Sequence, residues 1–399
     1  MKTKITNIES ICSWSPVDNK LIKRDNVEIL IDGETISQVR NKVGDAERKI
    51  DADGAFITPG FIDSHTHPIF SGNRSGEFSM RVSGKTYEEI ASAGGGILSS
   101  IQGVRNTSED QLFDECLEWI NLFLVHGTTT IEAKSGYGLT VEDEIKILRI
   151  IKRLNEVSHL DIIPTFMGAH AIPPEYNDNP SGYVELICEE MIPAVAEEKL
   201  AEYCDVFCEE GYFSVDDSRK ILETGMKYYL KPRLHADEFV DSDAAELAAD
   251  LRAVSADHLM AVSDRGIKKM SEKGVMATIL PGTTLFLGKG NYADGRKMID
   301  LGCEVALATD FNPGSCTIQS MPLIISLANL YCGLNIEEAF KGATWNGAKA
   351  LGLELNTGAL HEGYLADLLF WDIKSINEIP YWMGSDRIQN VMKRGKLLE

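Results

Sequence analysis

Two histidines spaced two apart, His65 and His67, lie in PGFIDSHTHPIFSGNR (residues 59–74), where an apolar run meets Pro59–Gly60 and continues through Phe61 and Ile62. With Phe61 to His67 as a strand, this spacing aims both imidazoles the same way. Two neutral imidazole nitrogens from one strand are good ligands for zinc and other first-row metals; two solvated rings at a strand end are the plainer alternative. Further on, Glu132, Lys134, Tyr137, His170, His235, Glu238, His258 and Asp310 all fall at or just after the ends of apolar runs. A metal site needs three or four ligands, with one position open to water if it is catalytic. His65, His67, His235 and Asp310 would supply three nitrogens and a carboxylate, and water on such an ion drops to a pKa of about 7. His258 and Glu238 are then left for proton transfer and charge stabilisation. A solvated loop acid for Glu238, and a turn aspartate before Asn312–Pro313–Gly314 for Asp310, are the competing explanations.

The elements that must position these groups follow from the hydrophobic rhythm. Residues 1–57 carry short β segments at Lys4–Ser10, Asn26–Ile31, Thr35–Arg40 and Lys49–Ile57, with turns signalled by Asp32–Gly33 and Asp53–Gly54. From residue 58, apolar runs alternate with helical patterns. The runs are 61–67, 127–131, 161–167, 204–208, 231–235, 253–256, 274–280 and 304–309. The helical stretches between them include 108–125, 141–157, 181–199, 215–225, 242–251 and 263–273, with Thr140 as an N-cap. Eight strand–helix units fit an α/β (β/α)8 TIM-like barrel, whose catalytic side chains come from the C-terminal ends of strands. Five of the eight histidines fall on that rim; His126 and His159 precede strands and His361 lies in the C-terminal β segment, where structural roles are expected. Two helices, 321–332 and 336–351, and further strands follow. Residues 1–57 and 358–399 are expected to form one small β-sandwich, with 58–357 as the catalytic barrel.

Composition narrows the partners. The formal net charge of the 399 residues is -22. Such a surface repels phosphate backbones and anionic membranes, so neither nucleic acid nor a membrane is expected, and an anionic substrate needs local cations. The N-terminus lacks the apolar stretch of an export signal, and no run reaches membrane-spanning length. The eight scattered cysteines are expected to be reduced core residues of a cytoplasmic protein.

The H-x-H strand end, the later histidines, the aspartate after the last strand and GALHEGYLADLLF together resemble the metal-dependent amidohydrolase superfamily. Within it, PGFIDSHTHPIFSGNR, GGGI (94–97), GTTTIEAKSGYGL, FMGAHAIPPEY, LHADEF and ATDFNPGSC are similar, in that order, to the imidazolonepropionase family across essentially the whole chain. EAKSGYG and DFNPGS separate that family from its relatives. The resemblance implies hydrolysis of the cyclic amide of 4-imidazolone-5-propionate to N-formimino-L-glutamate in histidine degradation, by a homodimer holding one divalent metal per subunit, Zn2+ or Fe2+, with Mn2+ also suited. It implies ligands at His65, His67, His235 and Asp310, and substrate contacts at Arg74, Tyr137, His170, Glu238, His258, Asn312, Gly314 and Ser315.

Arg74 is the rim cation suited to clamp the propionate bidentately, although alone it could be a surface arginine in a loop. Tyr137 and donors at Gly314–Ser315 would complete the anion site. In the implied reaction, hydroxide on the metal attacks the ring carbonyl while the metal and protonated His258 stabilise the oxyanion. Asp310 or Glu238 takes the water proton, and a carboxyl returns it to the leaving nitrogen. Some superfamily relatives bridge two metals with a carboxylated lysine on strand four. The segment EYCDVFCEE has none and Lys134 follows strand two, so one metal is expected, with Lys134 at the rim, orienting substrate or structural. Ser71 stands where the family usually has one of a pair of glycines. The alternatives are a relative acting on another cyclic amide or aminated ring, told apart at Arg74, Tyr137 and Asn312, and a non-catalytic scaffold, which should have lost a ligand or proton-transfer group.

Overall fold

The alternating apolar runs become eight parallel strands because both faces of each are buried, one against helices and one inside the barrel. A computed structural model describes residues 1–86, 89 and 94–398. The strands are Phe61–Asp63, Thr128–Lys134, Asp161–Ala169, Tyr203–Cys208, Lys231–Ala236, Ser255–His258, Met276–Ile279 and Val305–Leu307, hydrogen-bonded in sequence order as one sheet. The second shows the principle: Ile131 and Ala133 join the apolar core, while Glu132 and Lys134, on the alternate face, reach charges across the barrel. Helices begin where the sequence caps them. Thr140 accepts the Asp143 N–H at 3.1 Å to start Val141–Val157, with Glu142, Asp143 and Glu144 in the positive first turn.

Several boundaries differ from expectation. Strand two runs on through Lys134, so Glu132 and Lys134 belong to the barrel interior rather than following the strand. Strand six is Ser255–His258, two residues later than its apolar run, because it buries Ser255 and Asp257 in the interior. The expected 181–199 helix is Pro180–Leu186 and Ile192–Glu197 joined by a π-helical turn at Ile187–Met191; Pro193, with no N–H to donate, lies just beyond that turn.

Strands from both ends of the chain share one six-stranded sheet. Its order is Lys396–Leu397, Ile388–Lys393, Leu368–Trp371, Phe56–Pro59, Ser10–Ser15 and Lys20–Asp25. The hairpin Ser10–Ser15/Lys20–Asp25 lies outside the expected β segments; Ser15 accepts the Asp18 N–H and closes the turn. A four-stranded sheet, ordered Thr35–Arg40, Glu28–Asp32, Lys2–Thr6 and Arg48–Asp51, encloses with it a separate core that includes Ile5, Ile29, Ile31, Ile57, Leu368 and Phe370. All eight cysteines are buried and none is disulfide-bonded. Among the described residues no helix is long and apolar enough to cross a membrane.

The barrel's last join is not a strand ladder. Past the ends of strands one and eight, Asp310 N–H donates to the His65 carbonyl at 3.0 Å and His67 N–H to the Phe311 carbonyl at 2.9 Å. Below them the buried Asp63 carboxylate accepts the Thr309 N–H at 3.0 Å and its hydroxyl at 2.5 Å. Burial pushes Asp63 up to about 7 against the pull of those two hydrogen bonds. Thr309→Val deletes the hydroxyl donor and keeps the shape. It is expected to lower stability by about 1–3 kcal/mol, read from urea unfolding at fixed pH.

Candidate metal centre and substrate cavity

The His65–Thr66–His67 segment is stitched from both sides. Lys134 N–H donates to the Thr66 carbonyl at 3.0 Å and the Thr66 hydroxyl to the Glu132 carbonyl at 2.5 Å, opposite the bonds to Asp310 and Phe311. The rings are thereby aimed at one point. His65 and His67 Nε2 are 3.3 Å apart, and His67 Nε2 is 3.2 Å from His235 Nε2. Asp310 Oδ1 stands 3.7 Å from His65 Nε2 and 3.6 Å from His67 Nε2. Nitrogens bound tetrahedrally at the usual zinc distance would lie about 3.3 Å from one another. All four side chains are buried. Burial above all, then neighbouring cations and histidines, drives His65 and His67 well below the ordinary imidazole range, so lone pairs face the centre. This donor set fits a divalent metal ion. His258 stands at its edge, with a ring nitrogen within 4.8 Å of those of His65 and His235.

Under the histidines lies a layer that the motifs did not reveal. Lys134 Nζ is 2.7 Å from Glu132 and 2.6 Å from Asp205; Arg233 approaches Glu132 and Asp257 at 3.2 Å each. All five are 0% exposed. Burial opposes ionisation of Asp205, but Lys134 and His235 outweigh it and hold the carboxyl well below its usual range. Burial likewise opposes the Arg233 charge, and Glu132, Asp257 and Asp205 overcome it. The layer grips the ligands. Asp257 accepts His65 Nδ1–H at 2.7 Å, which leaves Nε2 as the free acceptor, and Asp205 stands 3.2 Å from His235 Nδ1. Lys134 is thus structural; it does not border the substrate cavity. The sequence signal was a charge on the inward face of an otherwise apolar strand, at 132 and 134 and again at 233 beside 235. Asp257→Asn permits the other His65 tautomer. A loss of metal affinity of about 10–100-fold is expected, measured by chelator competition on protein shown to be folded.

Above the histidines a cavity of about 520 Å³ opens, bordered by all the sequence-predicted site residues except His65. Glu144, 0% exposed, accepts the N–H groups of Gly136, Gly138 and Leu139 and so shapes the loop that carries Tyr137 into the cavity. His170 Nδ1 lies 3.0 Å from the Gly136 carbonyl and its ring stacks on His67; burial pushes it down to about 3. Glu209, at the end of strand four, accepts Glu238 and Phe239 N–H at 2.7 and 3.0 Å and fixes the Glu238 loop. Ser71 donates to Glu115 at 2.7 Å, which ties down the loop before Arg74.

Three expectations change in detail. Burial, aided by His235, holds His258 well below its usual value, so it is neutral rather than an imidazolium. Asn312 accepts Gly314 and Ser315 N–H at 2.8 Å each and donates to the Asp310 carbonyl and Ser315 hydroxyl, so those donors already shape the turn. Arg74 spends its Nε/Nη2 edge on Glu77, leaving only its end to the cavity.

Comparison with known proteins fits this geometry. A family model described as the amidohydrolase family matches residues 207–398. An imidazolonepropionase from Geobacillus sp. (strain WCH70) is 46% identical over 367 residues, 92% of this chain and 86% of that one. One from Brevibacillus brevis is 48% identical over 349 residues, 88% and 82% of the two chains. The chain belongs to the imidazolonepropionase family. More distant solved structures share the fold. A zinc-bound adenosine deaminase from Xanthomonas campestris superposes with a TM-score of 0.74 at 14% identity, covering 99% of this chain and 92% of its own. A triazine hydrolase gives 0.74 at 17% identity, covering 100% and 94%. Like its relatives in that family, the chain is a hydrolase of the amidohydrolase superfamily.

Burial, then Asp310 and Glu209, pushes Glu238 up to about 8, against a weaker pull from Lys289. In the metal-free protein the folded state therefore binds a proton that the unfolded chain releases near pH 4.5. That contribution to stability falls as pH rises from there to about 8. Glu238→Gln removes the slope, so the stability gain of the chelated variant over chelated wild type should widen between pH 5 and 8 in urea melts.

Proposed function

We propose that the chain opens the cyclic amide of 4-imidazolone-5-propionate to N-formimino-L-glutamate, a step of histidine degradation. The observation that carries this is the set of facing Nε2 atoms beside Asp310, beneath a cavity bordered by Arg74, in a chain of this family. His65, His67, His235 and Asp310 would hold one divalent ion; Zn2+ or Fe2+ suits the donors, and Mn2+ is compatible. When bound, such an ion supplies Lewis acidity for water and for a carbonyl.

The chain's own groups do the rest. The free end of Arg74 and the Tyr137 hydroxyl, which has no hydrogen-bond partner among the described residues, receive the substrate carboxylate. His170, with Nδ1–H committed to Gly136, presents Nε2 as an acceptor for a ring N–H. Asp310, held by the Thr283 hydroxyl beside His65 and His67, takes the water proton on its carboxylate. Glu238, whose burial favours the protonated form, passes its proton to the leaving ring nitrogen. Two carboxyls whose environments set them apart in this way divide the base and acid roles. Neutral His258 donates an N–H to the carbonyl oxygen as charge develops there.

The test is hydrolysis of 4-imidazolone-5-propionate, followed by ultraviolet absorbance. Turnover should vanish on chelation and return with added divalent metal. His258→Ala should lower kcat by about a hundredfold or more. Fully metallated protein with no turnover would refute the substrate.

A further inference from the structure

We propose that Glu77 is the positioning residue that sets selectivity for a carboxylate arm on the substrate, acting through Arg74. The proposal rests on Arg74 being the anion contact. Arg74 Nε donates to Glu77 Oε1 at 2.8 Å and Nη2 to Oε2 at 2.7 Å, a fork-on-fork pair that fixes the guanidinium plane. Both side chains are largely buried, 17% and 14% exposed. Oε2 also accepts the Gly96 N–H at 3.1 Å, so the same carboxylate fastens the opposite loop. Nη1 lies over the bare Cα of Gly314, where any Cβ would overlap it. The guanidinium is therefore bounded on one edge by Glu77 and on the other by Gly314. Only its end is left for an incoming anion.

The helix that carries this pair, Ser75–Val82, is fastened at its far end too. Arg81 donates to the Phe286 carbonyl at 3.1 Å and lies against the Phe78 and Phe286 rings. Lys85, next along the wall, is already paired with Glu89 at 2.8 Å. Arg74, Arg81 and Lys289, which also borders the cavity, outnumber Glu77 and leave the wall cationic. A carboxylate arm offsets that charge, and a neutral arm leaves it uncompensated.

The test is binding rather than turnover, with metal-loaded protein and calorimetry. The ligands are 3-(imidazol-4-yl)propionate and 4-ethylimidazole, which share a ring and differ in the carboxylate. Wild type should prefer the propionate. Glu77→Gln removes an opposing charge but also the two-point anchor of Arg74; loss of orientation should dominate and cut that preference roughly tenfold while 4-ethylimidazole binding and metal content stay unchanged. Gly314→Ala, which pushes Arg74 aside, should act in the same direction. Equal weakening of both ligands would mean that Glu77 only supports the fold, and an unchanged preference would remove it from selectivity; either overturns the proposal, as does a wild type with no preference. A wild type that prefers the propionate but does not hydrolyse 4-imidazolone-5-propionate refutes the proposed reaction and leaves the role of Glu77 standing.

Discussion

Five charged side chains at the centre of a dry barrel have to neutralise one another, and the functional geometry is built on how they do so. Glu132, Lys134, Asp205, Arg233 and Asp257 come from strands two, four, five and six. An unpaired ion in such a place costs several kcal/mol, so each must meet its partner within hydrogen-bonding range. Strand stagger has little freedom left once those contacts are made. Because Asp257 and Asp205 also face His65 and His235, the spacing of the imidazoles inherits the precision of the ion pairs. A purely apolar interior could fill the same volume but could not choose a tautomer.

Local backbone cost points to the same region. His258 and Asp310 sit at positive φ, 78° and 55°, and Asp237 and Leu259 do so beside them. Such conformations in non-glycine residues cost of order 1–3 kcal/mol each and persist where surrounding contacts enforce them. Here the enforcing contacts are hydrogen bonds. The Asp237 carboxylate collects the N–H groups of Ser242, Ala244 and Ala245, and the Thr283 hydroxyl holds Asp310 at 2.6 Å.

What the sequence disclosed, and what it hid, follows from range. His65, His67, His235 and Asp310 were legible because polar residues at the C-terminal ends of apolar runs are conspicuous and the barrel supplies their common direction. The barrel itself was legible from the same rhythm. Asp257 is hidden because SADH has no apolar periodicity and the apolar run stops at Ala256 while the strand continues to His258. Glu77 was hidden because an acid in a short polar helix looks like any solvated one until Arg74 and Gly96 are seen to share it. The Ser10–Asp25 hairpin is hard to see because its second strand, Lys20–Asp25, is charged and largely exposed and lacks clean apolar alternation. Asp257 and Glu77 take their roles from tertiary partners, His65 and Gly96, which local propensity does not encode.

The seam between the first and last strands has a consequence for how the protein is made. A ribosome releases His65 and His67 early and Asp310 some 245 residues after His65. The carbonyl of His65 waits for the N–H of Asp310, and the N–H of His67 for the carbonyl of Phe311, so neither imidazole is held in its final direction until strand eight has emerged. Contacts this distant along the chain are the slow ones to form. The donor cluster is therefore a late product of biosynthesis. The nascent chain passes through most of its length with a barrel open at the edge where the chemistry will reside.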